Sequence, residues 1–170
     1  MLGGMTEPRW LTDEEQHAWR AFLAFLARLE EVLDRQLRVE AGMPHAYYQV
    51  LAMLSEAPDR TLRMSELARV TVSSPSRLSH AVARLEERGW VRREPHPSDR
   101  RGALAMLTDE GFAALAAAAP GHVAAVWAVL FDRLAPHQVG QLREIFSTLA
   151  AEAGTGDRRP GRRHGPTPRG

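Results

Sequence analysis

The chain has 170 residues, of which 44% are hydrophobic and 25% charged, with a formal net charge of +1. It has no cysteine, and all 22 basic residues are arginine. Disulfides, thiolate metal ligands, cysteine nucleophiles and lysine amine chemistry are therefore excluded.

Thr12-Asp13-Glu14-Glu15 is a capping box and predicts a long helix behind it. Trp19, Phe22, Leu23, Leu26, Leu29, Leu33 and Leu37 recur at three- and four-residue steps, so one apolar stripe runs to about Val39. Gly42 ends that helix. Pro44 suits the first turn of a second helix, with Tyr47, Val50, Leu51 and Leu54 inward. After a turn at Pro58-Asp59, Leu62-Arg63-Met64 is extended. Ser65 is placed to cap a third helix over residues 66–70. Ser74, followed by Pro75, caps a fourth, whose inner edge is Leu78, Val82 and Leu85 and whose C-cap is Gly89. Residues 90–94 read as a strand, 95–101 as a loop and 102–107 as a returning strand. Thr108 caps an alanine-rich helix that Pro120-Gly121 should kink or break. Pro136 opens a last helix with Val139, Leu142, Ile145, Phe146 and Leu149 inward. From Gly154 onward Gly, Pro and Arg dominate, which predicts a disordered basic tail.

The charge is unevenly spread. Residues 1–59 carry net −5, 60–107 net +5, 108–153 net −3 and 154–170 net +4. A basic middle between acidic flanks points to a polyanionic partner for the middle. No apolar run reaches the roughly 18–20 residues that span a bilayer, and the start lacks a signal-peptide pattern. The expected location is cytoplasmic and nucleoid-associated, with no membrane partner.

The order helix, tight turn, helix, strand, loop, strand over residues 62–107 is a winged helix-turn-helix. The fold class is mainly α with a small β-hairpin wing, flanked by N- and C-terminal dimerisation helices. The expected organisation is a flexible N-terminus (1–10), N-terminal helices (11–59), a DNA-binding lobe (60–107), linker and dimerisation helices (108–153) and the tail (154–170). A recognition helix needs small polar and basic residues on its outer face. A 100° step places Ser76, Arg77, His80 and Arg84 opposite the apolar edge. Ser74, Ser76 and Ser79 are candidates for phosphates or base edges, and Arg77 for a bidentate contact to guanine. Arg100 and Arg101, at the hairpin tip, suit a narrow, electronegative minor groove. Asp99 beside them cannot favour DNA by its charge. Its expected role is to orient the wing by bonding loop N–H groups or an arginine.

From about Trp10 to Leu149 the sequence resembles the MarR family of bacterial transcriptional regulators. The resemblance rests on Leu67-Ala68, on Ser74-Pro75-Ser76-Arg77-Leu78-Ser79 and on the run from Arg84 to Arg93. It rests most specifically on Asp99-Arg100-Arg101-Gly102 and Leu107-Thr108-Asp109-Glu110-Gly111. Trp90 stands where the family usually has an aliphatic residue. The resemblance implies a homodimer with interlocked first and last helices, bound to double-stranded DNA at a near-palindromic operator. It implies that Arg101 enters the minor groove and that Asp99 shapes the wing. It leaves the signal open: some members bind small aromatic or lipophilic molecules at the junction of the first, second and fifth helices. Trp19, His45, Tyr48 and Phe112 are the candidates to line that cleft, with core or interface packing as the alternative.

No histidine pair has metal-ligand spacing on one helix, so no metal and no cofactor is expected; zinc held by His17, His45 and His122 is the weaker alternative. Neither a phosphate loop nor a nucleophile elbow occurs, and no catalysis is expected. The competing class is a winged-helix protein-interaction module without specific DNA binding.

Overall fold

The computed structural model describes residues 8–153, apart from the side chains of Arg100, Arg101, Glu152 and Ala153. The expected basic tail, and most of the expected flexible N-terminus, lie outside the described residues. Helix α1 spans Asp13–Ala41. Thr12 Oγ1 accepts from the Glu15 N–H at 3.2 Å, and Glu15 accepts from the Thr12 N–H at 2.8 Å. The Thr12 backbone N–H, and then its side chain, hold the Glu15 carboxyl below its ordinary pKa. Gly42, at φ +62°, ends α1 in the left-handed conformation. Helix α2 spans His45–Glu56, with Pro44 as its N-cap. Pro44 has no side-chain donor or acceptor, so the cap comes from α1: Asp34 Oδ1 accepts from the His45 N–H at 3.0 Å.

Strand β1 (Thr61–Arg63) runs directly into α3 (Met64–Val70), and α4 spans Pro75–Glu87. Strands β2 (Val91–His96) and β3 (Asp99–Leu107) form the wing, and the antiparallel order is β1-β3-β2. Helix α5 covers Asp109–Val129 and α6 covers Pro136–Ala153. The architecture is the mainly helical winged helix-turn-helix that the pattern of elements implies. Val129 and Leu130 divide the chain into two compact units.

Four local expectations are corrected. Helix α3 begins at Met64, because Arg63 is both the last strand residue and the N-cap, with no side-chain capping bond. Ser65 therefore lies inside the first turn. The wing strands are longer than the sequence implies: Pro97-Ser98 is the turn, and pairing starts at His96 with Asp99. A bulge between Pro95 and His96 absorbs the proline, which cannot donate to a ladder. Arg100 and Arg101 thus belong to β3. Helix α5 runs through Pro120 unbroken. Its next residue, Gly121, packs so close to α1 that a Cβ there would stand 2.4 Å from Glu40 Oε2. Tertiary packing outweighs the one hydrogen bond that Pro120 removes. Finally, the helical segment Asp109–Arg133 is long and apolar enough to cross a membrane by composition. Alanine supplies that length, and Leu115 and Ala118 are buried in the core of the first unit.

The core lies where α2, α3, α4 and the sheet meet, around Leu51, Leu54, Leu67, Val82 and Leu85. The apolar stripe of α1 is split. Leu33 and Leu37 are buried, whereas Trp19, Leu23 and Leu26 are exposed in the single chain. On α6, Ile145, Phe146 and Leu149 are exposed as well, not inward.

The wing is joined to α5 at one tight contact. Thr108 Oγ1 donates to Gly89 O at 2.7 Å and accepts from the Gly111 N–H at 3.0 Å. The Thr108 N–H donates to Trp90 O at 3.1 Å. A Cβ on Gly111 would stand 2.1 Å from Trp90 O. That atom is backbone and cannot swing away. Gly111→Ala should therefore destabilise the protein by about 2–3 kcal/mol, read as a lower urea midpoint, because relief requires moving the helix off the wing.

Candidate nucleic-acid interface

The turn between α3 and α4 is closed by a Schellman motif. The Ser73 N–H donates to Ala68 O at 2.9 Å and the Val72 N–H to Arg69 O at 3.2 Å. Thr71 Oγ1 adds a bond to Leu67 O at 2.7 Å. The left-handed position falls on Val72, at φ +50°. Ser74 caps α4 by accepting from the Arg77 N–H at 3.3 Å, with Pro75 in the first turn. Its hydroxyl hydrogen is left to donate outward.

On α4 the two faces separate as the 100° step requires. Leu78, Val82 and Leu85 are buried; Ser76, Arg77, Ser79, His80 and Arg84 are exposed. Many arginines around this face are committed to carboxylates. Arg84 lies 2.7 Å from Glu87, a bond that raises its pKa further. Glu86 holds Arg93 through Nε at 2.6 Å, and Arg60 lies 3.0 Å from Asp109. Arg92 meets Glu94 at 3.4 Å and Arg69 meets Glu66 at 3.9 Å. Arg88 donates to Gly42 O at 3.2 Å and covers the Trp90 ring at 4.9 Å. Arg77 has no carboxylate within ion-pair distance among the described residues. Sequence periodicity found the face but not this difference between its two arginines, which depends on side-chain reach.

At the wing, the Asp99 carboxylate sits over Gly102: a Cβ there would lie 3.0 Å from Asp99 Oδ2. His96 Nδ1 accepts from the Ser98 N–H at 3.3 Å across the turn.

The four residues expected to line a ligand cleft do not form one group. His45 and Tyr48 meet, but around His122, whose ring lies 5.5 Å and 4.2 Å from theirs. His45, 7% exposed, also bonds Glu30 Oε2 through Nδ1 at 3.0 Å. Burial, then the charge of Glu56, raises the Tyr48 pKa. Trp19 packs on Phe22 at 6.0 Å, and Phe112 lies under the Arg60 guanidinium at 4.1 Å. His122 was not among the sequence candidates for that cleft. A lone histidine after Pro-Gly in an alanine-rich helix carried no signal for it. Its Nδ1 is buried without a hydrogen-bond partner.

Residues 41–102 match the family model described as MarR family. Sco3205, a MarR family transcriptional regulator from Streptomyces coelicolor solved in complex with DNA, is 53% identical, with a TM-score of 0.82. That likeness covers 91% of this chain and 96% of that one. The HTH-type transcriptional regulator PecS of Dickeya dadantii is 39% identical over 135 residues, 76% of this chain and 71% of PecS. The transcriptional regulator HosA of Escherichia coli O111:H- is 38% identical over 73 residues, 43% of this chain. That match spans about half of HosA, 53%.

Burial, with the adjacent His45 adding to it, lowers the His122 pKa below its ordinary 6.5. The fold therefore favours the neutral ring. Stability from this residue is complete above pH 6.5, declines as the pH falls below it, and levels off under the folded pKa. Urea titrations at pH 8 and pH 5 should show wild type losing stability on acidification, and His122→Phe losing less.

Proposed function

The chain belongs to the MarR family of transcriptional regulators, and from that membership we propose that it is a sequence-specific reader of double-stranded DNA, acting as a repressor. The observation that carries this reading is the exposed face of α4. It presents Ser76, Arg77, Ser79 and His80 beside a capped helix N-terminus, and among the described residues no carboxylate pairs with its leading arginine. In the major groove Arg77 reads a base, while Ser74 and Ser76 hold phosphates. Arg84 takes part by exchanging Glu87 for a phosphate. The wing places Arg100 and Arg101 at the adjacent minor groove, with Arg101 inserted. The position of the Asp99 carboxylate over Gly102 supports its orienting role.

The active form is a homodimer. Trp19, Leu23 and Leu26 on α1, and Ile145, Phe146 and Leu149 on α6, leave apolar faces exposed in one chain that a second copy would cover. Two-fold symmetry then requires a near-palindromic operator with half-sites about one turn apart, roughly 10 bp. The lobe that reads DNA is residues 60–107, flanked by dimerisation helices over 11–59 and 108–153, and the protein works in the cytoplasm on the nucleoid without a membrane partner. A small aromatic or lipophilic ligand that releases DNA would enter beside His45, Tyr48 and His122.

Selection of bound fragments from a genomic pool, followed by titration at several salt concentrations, tests the reading. An inverted repeat should emerge. Arg77→Ala should relax preference at one position per half-site, costing about 1–3 kcal/mol. An equal loss on all sequences would make it a phosphate contact.

The wing residues make opposite electrostatic forecasts. Arg101→Ala should lower the salt slope by about one charge per subunit. Asp99→Ala removes a negative charge yet should weaken binding; tighter binding would remove its orienting role.

A further inference from the structure

We propose that Val72 is a specificity-determining residue whose methyl groups read the C5-methyl of a thymine in the major groove. The inference rests on the DNA-reading function above. Its ground is a residue of the wrong type in a demanding place. Val72 occupies the left-handed position of the Schellman motif, at φ +50°. Glycine or asparagine normally stands there, and a β-branched residue is an outlier. Its side chain is 93% exposed, the highest value among the exposed large hydrophobics of the described residues. No packing inside the protomer offsets the strain.

Its surroundings narrow the use. The exposed apolar residues of α1 and α6 come in stripes, as protein-docking faces do. Val72 stands between Thr71 and Ser73, with the polar start of the recognition helix next. Only Ser73 separates it from the N-cap Ser74, so their Cα atoms lie within about 7–8 Å. A valine has nothing to offer a phosphate or a hydrogen-bonding base edge. The apolar feature that a base pair presents in the major groove is the thymine methyl. Hydrogen bonds from Thr71 Oγ1, the Val72 N–H, the Ser73 N–H and Ser73 Oγ close the turn, the last reaching Thr71 O at 3.2 Å. Valine is stiff at χ1. The methyls are thus presented in a fixed direction, with little freedom left to lose on contact.

The test uses the full chain and a site selected by the wild type. Each thymine of one half-site is replaced in turn by deoxyuridine, which deletes one methyl. Wild type should lose about fourfold in affinity at one thymine, the value expected for one buried methyl. Val72→Gly, which relaxes the left-handed strain, should show no loss at that position. Val72→Ala keeps the Cβ constraint on the turn and should be equally blind, so a looser turn cannot account for the result. Wild type indifferent to every thymine methyl would overturn the inference, as would variants as sensitive as wild type. A selection that enriches no sequence would overturn the DNA-reading function itself. An enriched site that still depends on Arg77 but ignores Val72 would remove this inference alone.

Discussion

The carbonyl oxygen of Trp90 accepts from the Thr108 N–H while α5 passes over it at Gly111, where even one carbon would come within 2.1 Å. This contact sets the geometry of the winged helix-turn-helix. Trp90 follows the end of α4 and precedes β2, so the same few atoms fix the recognition helix, the wing and the long helix behind them. Thr108 closes the arrangement by bonding Gly89 O and capping α5 with one hydroxyl. Each such bond contributes only about 1 kcal/mol. Their value lies in direction: α5 can leave the sheet at only one angle. On the other side of Trp90, Arg88 covers the ring and donates to Gly42 O, tying the same point to the link between α1 and α2. The aromatic ring at position 90 thereby serves as the platform for that arginine.

Much of this was legible wherever the determinant is local. The capping box at Thr12 and Glu15, the Ser74-Pro75 start of α4, the positive φ of Gly42 and Gly89 and the Thr108 cap each depend on a few consecutive residues. The buried edge of α4 follows from helical periodicity alone. What was not legible depends on chain segments far apart. Asp34 caps a helix eleven residues later because α1 and α2 turn back on each other. His122 meets His45 and Tyr48 because α5 packs against α2, some seventy residues away in the chain. Phe112, a cleft candidate by sequence, is covered by Arg60 from a left-handed turn that no glycine announces. Val72 is the extreme case, since its residue type argues against the conformation it adopts.

The electrostatics of the basic segment follow the same division between local and distant. Residues 60–107 carry ten arginines and five acids, a surplus that the sequence states only as a sum. The ion pairs distribute it. Glu66, Glu86, Glu87 and Glu94 each hold an arginine within the segment, and Asp109 from outside holds Arg60. These exposed pairs contribute little to stability. Their larger effect is on the field, because each paired arginine contributes less to the attraction of a polyanion. Among the described side chains of the segment, the positive charge without a carboxylate partner is left on Arg63, Arg77 and Arg88, and Arg88 is turned to Gly42 and Trp90. Arg77 is then the unpaired cation on the outer face of the recognition helix. Part of the surplus that the sequence states as a diffuse +5 is thus carried on the outer face of α4, at Arg77.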